Sequence, residues 1–108
     1  MPARGEIWWV RLDPTLGSEM AKTRPCLIVS TNIVNQRRRT VVVIPLSTSP
    51  QPSPPLLVPV RYGGKQVVAV IDQIRAVSKQ RLDRRIELLD AGDFSRVEQG
   101  LREILELR

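Results

Sequence analysis

The stretch GSEMAKTRPCLIVS, Gly17 to Ser30, changes character halfway along. It opens on a glycine, runs polar to Thr23, and then turns apolar behind an Arg-Pro pair. A nearly unbroken apolar run between turn signals reads as a strand buried on both faces. Pro25 is tolerable at a strand entrance. A residue before proline is pushed into extended backbone, so Arg24 stands on restricted chain where a flexible loop ends. Arginine is a poor way to begin a buried strand on folding grounds alone, which points to an anion at that spot.

The flanking sequence repeats the pattern of short strands and turns. EIWWVRL, Glu6 to Leu12, precedes the loop, and Asp13, Pro14 and Gly17 end it. Alternation puts Trp8, Val10 and Leu12 on one face, the expected core face. Ile7, Trp9 and Arg11 fall on the other, an expected interface or ligand surface. Beyond Ser30, the polar connection NIVNQRRR (Asn32 to Arg39) leads into the strand TVVVIPLS (Thr40 to Ser47). TSPQPSPP, Thr48 to Pro55, has four prolines in eight residues and reads as an extended surface loop. LLVPVRY (Leu56 to Tyr62) is a strand whose Pro59 calls for an edge or a bulge. After the Gly63-Gly64 turn, QVVAVIDQIRAV (Gln66 to Val77) reads as one long strand bent near Asp72. Regularly spaced short strands of this kind predict a small antiparallel barrel.

The C-terminal segment follows another period. Phe94, Val97, Leu101, Ile104 and Leu105 form a stripe on one helical face. Asp90 is the expected N-cap, with Asp93 as a weaker capping-box partner. Glu98–Arg102 and Arg102–Glu106 are i,i+4 pairs for the wet side. Gly100 should weaken the helix by about 1 kcal/mol against alanine. The fold expected is mainly β with one amphipathic α-helix covering the barrel, a single domain over residues 1–108.

Composition narrows the chemistry. Of 108 residues, 17 are basic and 11 acidic, a net charge of +6 that suits a polyanion such as nucleic acid. There is no histidine and one cysteine. Zinc sites built on His, Ser-His-Asp triads and Cys-His catalysis are therefore excluded. Cys26, inside an apolar run, reads as a buried filler. No apolar run reaches the ~18–20 residues that span a bilayer, and MPARGEIWW lacks a signal-peptide core. A cytoplasmic protein with no membrane partner is expected.

RGEIWWVRLDPTLGSE, TRPCLIVS with VVVIPLST, and VIDQIRAVSKQRL occur together and in this order. With them the chain resembles the MazF/PemK family of bacterial toxins from type II toxin–antitoxin modules, from Arg4 to the C-terminal helix. The resemblance implies an SH3-like barrel, a homodimer, and cleavage of single-stranded RNA that needs no metal or other cofactor. It also implies a cognate antitoxin whose tail blocks the RNA groove. The family's Arg-Pro arginine falls on Arg24, its principal catalytic residue. Its hydroxyl after the third strand, most often threonine, falls on Ser47, with Thr48 beside it; strand alternation turns the two to different sides. Some relatives carry a histidine after the glycine at position 17 and an arginine two residues before position 72, where this chain has Ser18 and Val70. Glu19 and Asp72 remain as carboxylates for proton transfer or RNA positioning. RNA contacts are expected from the Gly17–Thr23 loop with Ser18 and Lys22, from Trp9 and Arg11, and from the Gln73 amide. Arg37 to Arg39 read as a solvated basic edge. Two other readings stay open: a nucleic-acid-binding barrel without catalysis, and a CcdB-like toxin acting on a protein such as DNA gyrase.

Overall fold

The computed structural model describes residues 1–12 and 22–108. Among these residues, seven strands and two α-helices follow in order: β1 (Glu6–Arg11), β2 (Thr23–Ile28), α1 (Asn32–Arg37), β3 (Thr40–Ser47), β4 (Leu57–Tyr62), β5 (Lys65–Val70), β6 (Arg75–Ser78), β7 (Leu82–Leu88) and α2 (Ala91–Leu105). All pairings are antiparallel, in the order β4-β5-β3-β2-β1-β7, with β6 also on β3. This is the small antiparallel barrel with a C-terminal helix that the pattern predicts, and the SH3-like barrel that the resemblance implies. β4 lies at an end of the order, where the missing N–H of Pro59 is tolerated.

β3 is shared between two sheets. Its first half pairs with β6, Thr40 opposite Ser78 through Val43 opposite Arg75. Its last residues pair with β5, Leu46 opposite Ala69 and Ser47 opposite Val68. The single bent strand expected over Gln66–Val77 is therefore two strands. A 3₁₀ turn, Ile71–Gln73, carries the chain from one half of β3 to the other.

Both faces of β1 are core. Val10 and Leu12 are fully buried with Cys26, Ile28, Val41 and Val43, and Trp8 packs against them. Ile7, assigned by alternation to the outer face, is also fully buried, with Leu27, Ile44 and Leu46. That second face is covered by α2 through Val97, Phe94, Leu101 and Ile104, so it has no solvent side at Ile7. Leu105, the last residue of the expected stripe, is exposed at the helix end.

The segment Asn32–Arg37, read as a polar connection, forms the short helix α1 with Thr31 as N-cap. A buried polar knot locks it down. Asn35 is fully buried, donates to Ser30 O at 3.1 Å, and accepts from the Ser30 hydroxyl, whose oxygen takes the Val42 N–H at 3.0 Å. Buried polar groups persist only when paired in this way.

Asp90 caps α2 as expected, accepting from Asp93 N at 3.1 Å. Asp93 does not close a capping box: its carboxylate takes the Arg61 N–H at 2.9 Å and pairs with Arg96. Glu98 pairs with Arg4 at 2.7 Å rather than along the helix, and the Arg4 guanidinium lies 4.7 Å from the Phe94 ring centroid. Gly100 has a packing reason. A Cβ there would stand 3.0 Å from Pro55 O and 3.2 Å from Val58 Cγ2, tighter than ordinary contact, so glycine lets α2 come this close without displacing its neighbours.

Candidate active site

β2 brings Arg24 to the edge of a cleft of about 250 Å³. Its cross-strand partner is Val10, and that of Pro25 is Trp9. Ser47, the last residue of β3, reaches the same cleft from the neighbouring strand. Thr48 and Trp9 line it too. Four residues named from sequence thus meet in one place. Thr48 was expected to turn away from Ser47, but it lies one residue past β3, where strict alternation has ended. Ser47 is buried at 8% exposure, whereas Thr48 is exposed and Arg24 half-buried. The Ser47 hydroxyl accepts from Ser49 N at 3.4 Å, which leaves its O–H to donate elsewhere.

Among the described residues that line this cleft none is acidic, while Arg24 and Lys65 are both basic. Lys65 and Tyr62 enter it from the β4–β5 hairpin, and neither was singled out from sequence. The available signal was the Gly63-Gly64 turn, which makes its flanking residues cross-strand neighbours. What sequence did not carry was the cleft they would face. Burial, and then the Glu87 carboxylate, push the Tyr62 phenol above its usual range, so it stays a neutral O–H donor.

Two further clefts adjoin the first. One, about 430 Å³, shares Ser47 and is lined by Asp72, Gln73 and Ser53 with apolar walls from Leu56, Leu57 and Val70. Asp72 and Gln73 therefore sit one cleft away from Arg24. The other, about 540 Å³, shares Thr23 and holds Arg11, Ser78, Gln80 and Arg81. Arg11 donates to Gln80 O, and Arg81 Nη1 donates to Arg11 O at 3.1 Å. Trp9 and Arg11, read as one outer face, serve different clefts. Lys22 is exposed in left-handed backbone at φ 68°, its carbonyl taking the Leu12 N–H at 2.9 Å. Gly17, Ser18 and Glu19 lie outside the described residues.

Cys26 is fully buried, and burial pushes its thiol up to about 12 against the pull of the Arg75 and Arg24 guanidiniums. It is filler and no nucleophile. The same pull places Arg75, opposite Val43 on β6, within electrostatic reach of the atom that Arg24 also influences. Among the described residues no group of three or more Cys, Asp or Glu side chains could hold a metal ion. Among them, too, no helix is long and apolar enough to cross a membrane.

Known proteins carry the same arrangement of strands. Residues 3–105 match the family described as PemK-like, MazF-like toxin of type II toxin–antitoxin system. Endoribonuclease EndoA of Bacillus subtilis is 32% identical over 109 residues, spanning 96% of this chain and 94% of that protein. Endoribonuclease MazF9 of Mycobacterium tuberculosis is 33% identical over 116 residues, 99% of this chain and 98% of its own length. Among solved structures, MazF from Deinococcus radiodurans superposes with a TM-score of 0.85 at 23% identity, over 98% of this chain and 97% of that one. A mycobacterial endoribonuclease in complex with its cognate antitoxin gives 0.83 at 22%, over 100% and 98%. The structural likenesses establish the fold, and the family match over nearly the whole length establishes the kinship: the chain belongs to the PemK-like, MazF-like toxins of type II toxin–antitoxin systems, a family of endoribonucleases.

Proposed function

We propose that this toxin cleaves single-stranded RNA at short preferred sequences, without a metal ion, by attack of a ribose 2′-hydroxyl on the adjacent phosphorus. The P–O5′ bond breaks as the P–O2′ bond forms, leaving a 2′,3′-cyclic phosphate and a 5′-hydroxyl. The observation that carries this reading is the meeting of Arg24 and Ser47, from neighbouring strands, in one cleft. The five-coordinate transition state carries extra negative charge on the phosphoryl oxygens. A guanidinium fork can grip two of them and stays charged at any working pH. The Ser47 O–H donates to an oxygen of the same group, and Thr48 offers a second hydroxyl at the rim. Fixed donors aimed at developing charge supply most of such a barrier reduction.

Asp72 and Gln73 act as RNA-positioning groups in the adjoining cleft, with the Gln73 amide suited to a base edge. The 2′-hydroxyl proton passes to solvent or to a carboxylate, Glu19 or Asp72, and a solvent proton completes the departing 5′-hydroxyl. Trp9 stacks a base, and Lys22 and Arg11 draw phosphates. The toxin works in the cytoplasm as a homodimer, and a cognate antitoxin neutralises it by covering the RNA groove.

Incubating folded, antitoxin-free protein with RNA in EDTA tests the reading. Cleavage yielding 2′,3′-cyclic phosphate ends is expected. Intact RNA would overturn it in favour of a barrel that only binds.

A further inference from the structure

Tyr62 and Lys65 face each other across the Gly63-Gly64 turn, with the Lys65 Nζ 5.8 Å from the Tyr62 ring centroid. Both glycines have left-handed backbone, φ 58° and 78°, as a tight two-residue hairpin requires. This hairpin is closed by one hydrogen bond of its own and tied to the rest of the fold by two more. The Arg61 side chain donates to Gly64 O at 3.0 Å, Gly63 N donates to Glu87 Oε1 on β7 at 2.9 Å, and Arg61 N donates to Asp93 Oδ2 on α2 at 2.9 Å. The backbone that carries the two side chains is thus held by the body of the fold. In strand order they approach from β4 and β5, beyond Ser47 on β3, while Trp9 approaches from β1, beyond Arg24 on β2. Lys65 is exposed and takes part in none of the ion pairs among the described residues.

We infer that Tyr62 and Lys65 form a nucleotide subsite flanking the scissile phosphate, with the Lys65 ammonium on a neighbouring phosphate and the Tyr62 ring against the neighbouring base. The inference rests on the endoribonuclease reading of the cleft. Arg24 and Ser47 grip the reacting phosphate, and correct alignment of a flexible strand needs a second hold beside it. An ammonium over an aromatic ring, next to a second aromatic wall in Trp9, is the pairing of charge and stacking faces that single-stranded RNA needs.

The test uses a labelled, random-sequence RNA decamer with 2′-O-methyl riboses, which binds but lacks the nucleophile. Lys65→Ala should weaken binding about fourfold at 0.15 M salt and reduce the slope of log K against log salt by about 0.7, one phosphate contact on a single strand. Tyr62→Leu should cost about tenfold, and Tyr62→Phe should stay near wild type because the ring does the stacking. With cleavable RNA, Lys65→Ala should raise KM more than it lowers kcat. Unchanged affinity and salt slope in a Lys65→Ala protein that melts like wild type would remove the subsite while leaving the enzyme standing. A wild type that leaves RNA intact in EDTA would instead remove the enzyme, and the subsite with it.

Discussion

Arg24 stands half-buried where β2 begins, followed by Pro25 and then by the fully buried Cys26. The strand is held by Cys26, Leu27 and Ile28, so the arginine side chain is not what keeps it in place. Arg24→Ala should therefore lower the cleavage rate by about 10²–10³-fold or more while the melting temperature stays close to wild type. Ser47→Ala should be slower than wild type, and Ser47→Thr should keep activity because it keeps the donor. Rates on RNA and thermal melts of the same preparations check all three. An Arg24→Ala protein that does not fold would mark the arginine as structural. Arrest of growth that survives both alanine changes would point to a protein target instead of RNA. Arg24 and Trp9 could be named from sequence because each sits next to a local signal, a proline and an aromatic pair, whereas Ser47 and Thr48 were named through the family resemblance. Tyr62 and Lys65 could not, because the cleft they join is assembled from strands distant in sequence. Asp72 and Arg11 were named for the same surface, yet the fold gives each its own cleft.

Helix α2 shows how a glycine can be misread. In an isolated helix, alanine at position 100 would gain about 1 kcal/mol. Here the added methyl meets the Pro55 carbonyl at 3.0 Å, a backbone atom that must give by a few tenths of an ångström to admit it. Gly100→Ala should thus destabilise the protein, by about 1–3 kcal/mol, as overpacking does. Chemical denaturation checks the sign, and a variant more stable than wild type would mean that α2 can lift from β4 without loss. β1 to β4 and the start of α2 were legible because turn residues and a capping aspartate punctuate them. β7 was not. Asp83, Arg84, Arg85 and Leu88 are exposed on it, and Leu82 and Ile86 pack inward, so it shows almost no alternation. It is a strand because β1 offers it a partner, which is tertiary information.

Side-chain carboxylates fasten the barrel where its strands and helix meet. Glu87 holds the β4–β5 turn, Asp93 holds β4 to α2, Glu98 holds the N-terminal segment through Arg4, and Glu6 joins β1 to β7 through Arg85 at 2.6 Å. Burial alone would raise the Glu6 pKa. The bonds from Trp8 Nε1, Arg85 and Ala3 N outweigh it and hold the carboxyl below its usual range. Unfolded, Glu6 binds its proton at a higher pH than it does folded. Its contribution is therefore complete above the ordinary carboxylate pKa of about 4.3 and fades as pH falls through the lowered folded value. Glu6→Gln should melt below wild type at pH 7, and the gap should narrow on acidification below pH 4. A gap that does not change with pH would show that the carboxylate is not held ionised by the fold.

β3 pairs with β2 along one edge and with β6 and then β5 along the other. A strand committed on both sides to three partners cannot lose or gain a residue without reversing inside and outside for every partner beyond the change. Insertions and deletions are thus barred from residues 40–47, whereas the proline-rich connection after it can lengthen or shorten. In descendants of this gene, the distance from Thr40 to Ser47 should behave as a fixed ruler against which the rest of the sequence drifts.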